Sequence, residues 1–130
     1  MRLARATAIA ATVLGSAGLA GAEEAEPGDV ERGRALFGDY CASCHGPTGY
    51  GDGPISRALN SPLRPLEAEN YRIDADGDGQ PGSDEDLRLL LLNGAPAYGG
   101  SPLMAAFRQL EEEPQNLADL IAFLRSLPQR

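Results

Sequence analysis

Apolar residues between Asp29 and Cys44 recur at steps of three and four: Val30, Gly33, Leu36, Phe37, Tyr40, Cys41 and Cys44 share one stripe. That period predicts a helix from Asp29, its N-cap, to Cys44, with Gly46-Pro47 stopping the chain beyond it. Ser83, with Asp86 three residues on, starts a second helix over Asp84 to Asn93, whose buried face is Leu87, Leu90 and Leu91. Asn93-Gly94 ends it. A third stripe of Leu117, Leu120, Ile121, Leu124 and Leu127, to which Phe123 adds, predicts a helix from about Gln115 to Leu127, closed by Pro128. The intervening Pro47–Tyr71 stretch is rich in Gly and Pro and reads as a loop with one helical turn around Ile55 to Leu59. A second loop runs from Ala95 to Pro102. No strand pattern of useful length, internal repeat or further domain boundary interrupts this order.

The first 22 residues stand apart. Arg2 and Arg5 precede an uncharged apolar run from Ala6 to Ala20, and Ala20-Gly21-Ala22 has the small-x-small form of a cleavage site. The expectation is a secretory signal peptide over residues 1–22, an exported, periplasmic protein beginning at Glu23, and one domain over residues 23–130. The apolar run is short for a span of about 20 residues, so no stable membrane span is expected after cleavage.

Composition changes the picture of the core. Only 5% of the residues are aromatic, Trp is absent, and Gly and Pro number 16 and 10. A chain so poor in large side chains gains apolar volume by closing around a bound group. The formal charge is −8, all eleven basic residues being Arg, which disfavours nucleic acid and anionic lipid as partners. It is compatible with docking on a basic protein surface and with a merely solvating acidic shell.

The chemistry is concentrated in Cys41-Ala42-Ser43-Cys44-His45, which holds both cysteines and the single histidine of the chain. Cys-x-x-Cys-His is the attachment pattern of c-type haem: the thiols bond the porphyrin's vinyl groups and the imidazole takes the iron. Zinc wants four Cys or His ligands and finds three. A redox dithiol lacks the βαβ setting in which such motifs act. For the sixth position of the iron, residues 23–130 offer one methionine, Met104, and no second histidine. The alternative is that Met104 only fills a gap in the core.

These residues resemble the class I c-type cytochromes, small single-haem electron carriers. Gly33-Arg34-Ala35-Leu36-Phe37 ahead of Cys41-Ala42-Ser43-Cys44-His45 is similar to the family's first helix. Leu120 to Leu127 resembles the C-terminal helix packed against it. The resemblance implies an all-α cytochrome c fold, with three main helices and long loops around one covalent haem c. Cys41 and Cys44 are then the attachment points, and His45 and Met104 the axial ligands. Gly49-Tyr50-Gly51-Asp52-Gly53-Pro54 resembles the loop whose proline carbonyl accepts the proximal imidazole proton, which assigns that role to Pro54. Where the family often has Pro after the ligand methionine, this chain has Ala105. Tyr98, shortly before Met104, is placed to reach a propionate or the distal side, or to lie on the surface.

Asp74-Ala75-Asp76-Gly77-Asp78-Gly79-Gln80-Pro81-Gly82-Ser83-Asp84-Glu85 matches an EF-hand calcium loop at positions 1, 3, 5, 6 and 12. Asp74, Asp76, Asp78, the Gln80 carbonyl and Glu85 would be the ligands. Pro81 and Gly82 depart from the pattern, no second EF-hand is present to pair with, and an Asp/Gly turn capping the next helix is the alternative. Taken together, the expected function is electron transfer between a dehydrogenase and an oxidase or another carrier. No residue is assigned a catalytic role, and the competing reading is a haem enzyme or gas sensor with an open distal site.

Overall fold

The computed structural model describes residues 25–128, so the expected signal peptide lies outside the described residues. Within them the chain forms four α-helices and four short 3₁₀ pieces, with no strand. The α-helices are α1 (Val30–Tyr40), α2 (Ala42–His45), α3 (Asp84–Asn93) and α4 (Pro114–Ser126). The three long helices stand where the apolar periods place them, and the fold is the expected all-α one.

Helix boundaries follow from local chemistry. Asp29 caps α1 by accepting the Arg32 N–H at 2.9 Å. Ser83 and Asp86 form a full capping box at the start of α3, which ends before Gly94. Helix α4 begins one residue earlier than expected, because Pro114 suits a first-turn position where its missing N–H is not needed. The helical turn expected around Ile55 to Leu59 is a 3₁₀ turn at Ser56–Ala58.

One expectation is corrected. The helix predicted from Asp29 to Cys44 breaks at Cys41, whose φ of −121° lies well outside the helical range. The break costs little hydrogen bonding: the Cys41 N–H still reaches the Phe37 carbonyl at 2.9 Å. Its own carbonyl accepts from Cys44 at 3.1 Å and His45 at 2.9 Å. The segment from Ala42 to His45 therefore starts afresh as α2.

Helices α1 and α4 cross at the centre of the core. Gly33 makes the crossing possible, since a Cβ there would lie 1.9 Å from the Asp119 carbonyl oxygen. At that contact the Phe37 and Phe123 rings pack 5.0 Å apart at a tilt of 52°. Leu91, Leu110, Leu117 and Leu120 join them in the buried cluster.

The same crossing holds a charge. Asp119 is wholly buried, and its carboxylate accepts from the Asp29 backbone N–H at 2.7 Å, Arg32 Nε at 2.8 Å and Gln115 Nε2 at 2.8 Å. It thereby joins the N-terminus of α1 to α4. Among the described residues no helix is long and apolar enough to cross a membrane.

Candidate haem site

Helix α2 ends at His45, and a glycine-rich loop folds back to hold it. The Gly51 N–H donates to the His45 carbonyl at 2.7 Å, Gly53 to Cys44 at 3.2 Å and Ile55 to Ser43 at 3.0 Å. Gly53 is pressed so tightly on α2 that a Cβ would lie 2.4 Å from the Ser43 carbonyl oxygen. This loop fixes the orientation of the Cys41–His45 segment from below.

Met104 lines the same two hollows as His45, from another loop. Gly94 lets the chain turn sharply out of α3 at φ 78° and ψ 159°, a region essentially reserved for glycine. The Ala95 N–H then donates to the Met104 carbonyl at 3.0 Å, and Phe107 N–H to the Leu91 carbonyl at 2.8 Å, tying the methionine loop to the end of α3.

Between these two supports lie two adjoining hollows of about 160 and 400 Å³, and Cys41, His45, Ile73 and Met104 line both. The smaller is walled by side chains such as Phe37, Leu66, Leu87, Leu91 and Leu124. The larger opens between the segments carrying Leu59 and Leu63 and those carrying Leu103 and Phe107; Cys44 lines it too. The residues that the sequence proposed for the iron and the thioethers, far apart in the chain, thus meet in one apolar cleft.

The cleft's polar atoms suit an iron porphyrin. Burial pushes the His45 imidazole's pKa down, so the ring is neutral and can offer a lone pair to a metal. Burial, with some help from Cys44, pushes the Cys41 thiol up to about 12, and neither cysteine is in a disulfide. His45 Nδ1 and the Tyr71 hydroxyl are buried in the cleft wall without a hydrogen-bond partner, in a mainly apolar lining that also holds Asn70, Arg72 and Asp86. Buried polar atoms of this kind are costly unless something bonds them. An apolar cleft with two thiols, an imidazole and a thioether fits haem c.

Residues 30–128 match the family model of cytochrome c. The chain belongs to the cytochrome c family. A cytochrome c domain supports haem-based electron transfer and implies a covalently held haem c, and the all-helical architecture is consistent with the family's fold. This cytochrome is also similar to a solved chain of the Kuenenia stuttgartiensis reducing HAO-like protein complex Kustc0457/Kustc0458, at 29% identity and a TM-score of 0.62. The match covers 80% of this chain and 44% of that one, so the cytochrome spans less than half of its neighbour's length. No curated protein matches it.

Three expected details stand differently in this cytochrome. The Pro54 carbonyl does not accept from His45, whose Nδ1 has no partner. The backbone bonds of Gly53 and Ile55 to α2 fix the course of this loop, leaving Pro54 exposed beside α2. Tyr98 lines neither hollow; its hydroxyl accepts from Asn93 Nδ2 at 2.9 Å.

The third concerns calcium. Asp74, Asp76 and Asp78 do converge, with one oxygen of each within 4.8 Å of the others. Glu85 is not with them, because it is drawn to Arg88, whose Nε donates at 2.7 Å. The N–H groups of Asp78, Gly79 and Gln80 take up oxygens of all three aspartates. The Asp78 N–H bond lowers the Asp76 carboxyl's pKa, but lost hydration and the nearby charges of Asp78, Asp86 and Asp74 outweigh it and raise the value.

Two residues that the sequence left in the background organise this region. Asp86, read only as a cap, is buried and also accepts from Ala75 N–H at 2.6 Å, Asp76 N–H at 3.3 Å and Ser83 N–H at 2.8 Å. It closes the 75–86 segment on itself and lines the smaller hollow. Arg125 of α4 donates to Asp84 at 2.7 Å and to the Gly82 carbonyl at 2.6 Å, with its guanidinium 5.6 Å from the Tyr71 ring centre. The cleft's outer wall is thus clamped to the C-terminal helix.

Proposed function

We propose that this cytochrome is a periplasmic one-electron carrier, its haem bonded to Cys41 and Cys44 and ligated by His45 and Met104. The observation that carries this reading is the cleft lined jointly by Cys41, His45 and Met104. When bound, the haem supplies a reversible one-electron couple, and His/Met ligation raises its potential. The protein's part is to hold the neutral imidazole at the end of α2 and the thioether on the Gly94-supported loop. The Leu- and Phe-lined wall keeps water from the intervening space. With both supports carrying a ligand, no position is left for a substrate.

Export rests on the basic and apolar pattern of residues 1–22. The expected partners are a dehydrogenase and an oxidase or another carrier. The neighbour's place in a complex of HAO-like proteins supports service beside a larger redox protein.

The ferric absorption spectrum is the test. A low-spin spectrum with the sulfur-to-iron charge-transfer band at the red end of the visible is expected, together with its loss in Met104→Ala. An unchanged spin state in that variant would sink the ligand assignment. A high-spin spectrum of the unaltered protein would favour an open-site enzyme or sensor.

A further inference from the structure

Three carboxylates are buried among the described residues: Glu67, Asp86 and Asp119. Asp119 is paired with Arg32 at the helix crossing, and neither it nor Glu67 lines the cleft. Asp86 does. It is 2% exposed, lines the smaller hollow beside Tyr71 and Leu87, and is the one acidic residue in the wall of either hollow.

Asp86 also stands without a countercharge. No arginine forms an ion pair with it among the described residues. Neutral donors hold its oxygens instead: Oδ1 accepts from the Ala75 and Asp76 N–H groups, and Oδ2 from the Ser83 N–H and from the Ser83 hydroxyl at 2.9 Å. Burial by itself raises the Asp86 pKa, but the bonds from Ser83, Ala75 and Asp76 outweigh it and hold the carboxyl below its ordinary value. The residue is therefore ionised and fixed in place. Burial also spares its charge much of the screening that weakens the exposed Arg72 on the same hollow. A capping box can be closed by a neutral Gln at this position, so the start of α3 does not call for the charge.

From this placement we infer that Asp86 is a potential-setting residue, whose carboxylate stabilises the oxidised state of the bound haem and holds the carrier's reduction potential down. The inference rests on the carrier reading above. Loss of one electron from the ferrous haem leaves one more positive charge in the cleft, and a fixed negative charge in the wall favours that state. Asp86 thus opposes the axial methionine, which raises the potential.

The experiment is an equilibrium redox titration of the holo-cytochrome, followed by its visible spectrum. Asp86→Asn keeps the shape of the side chain and removes the charge. The ferrous-to-ferric ratio at a fixed applied potential should rise roughly threefold to tenfold, tenfold being about 59 mV for one electron. Water admitted by a loosened segment would stabilise the more highly charged ferric state and lower the potential, so loosening cannot imitate this rise.

Two further variants separate charge from structure. Ser83→Ala removes a bond from the same segment and keeps the carboxylate. Glu69→Gln removes an equal charge from an exposed position next to Asn70, which lines the hollow. Both should fall well short of the Asp86→Asn rise.

An Asp86→Asn potential that is unchanged or lower, or an equal rise in either of the other variants, would overturn the inference while leaving the carrier reading intact. A holo-protein without a reversible one-electron couple would overturn both.

Discussion

The backbone of Gly33 lies so close to Asp119 that a methyl group on the former would sit 1.9 Å from the latter's carbonyl oxygen. Helix α1 can approach α4 only with hydrogen at this position. Gly33→Ala should therefore force the helices apart and cost about 2 kcal/mol, the scale of overpacking in a tight core. Denaturant unfolding of the holo-protein checks this. A change under half that size would mean that the crossing is softer than its geometry implies.

Gly94 bears on the site more directly. It has φ 78° and ψ 159°, and a Cβ there would meet the Met104 carbonyl oxygen at 2.9 Å and the Ala106 nitrogen at 2.8 Å. Gly94→Ala should cost about 1–3 kcal/mol and displace the loop that carries the proposed sulfur ligand. Weakening of the sulfur-to-iron band, beyond any loss in melting temperature, is the expected reading.

Acid should act on the helix crossing through Asp119. The Arg32 hydrogen bond, opposed by burial and aided by Asp29 and Gln115, holds this carboxyl at about 2 against an ordinary 3.8. Because the folded value is the lower one, the stabilisation is complete above the unfolded value. It fades as the pH falls from about 5 towards 2. Asp119→Asn should lower the neutral-pH melting temperature by roughly 5 °C or more and flatten its fall across that window. A variant whose acid limb parallels that of the unaltered protein would rule Asp119 out as its source.

Asp86 holds the 75–86 segment by its two oxygens. In Asp86→Asn one oxygen becomes a donor, so the N–H groups of Ala75 and Asp76 on one side, or of Ser83 on the other, lose their acceptor. Amide hydrogen exchange in this segment should accelerate, while that of α1 and α4 stays slow. Uniform acceleration over the whole molecule would show that Asp86 supports the fold and not this segment alone.

The helices were legible because their signals are local. The stripe from Leu117 to Leu127 and the Ser83–Asp86 capping box act within one or two turns, and tertiary packing had no reason to override them. The cleft's residues were legible for a different cause: with one histidine in the chain and one methionine in residues 23–130, there was little to choose among. The break at Cys41 was hidden because the apolar period runs straight through it. Asp119 was hidden too, since a carboxylate on an apolar stripe resembles the edge of a solvated face until its partners at Asp29 and Arg32 are seen. The Pro54 role, carried over from a resemblance, failed at the scale of a single hydrogen bond, which a motif does not fix.

The bond from the Asp29 N–H to Asp119 joins positions 90 residues apart. The loop that this contact closes takes in 90 of the chain's 130 residues, which carries an entropic cost. Cys41 belongs to the same buried cluster as Phe123 and Leu124 of α4, so without that helix its thiol would lose part of its cover. Closing that contact therefore covers Cys41, which ends buried, more than Cys44, which stays half-buried.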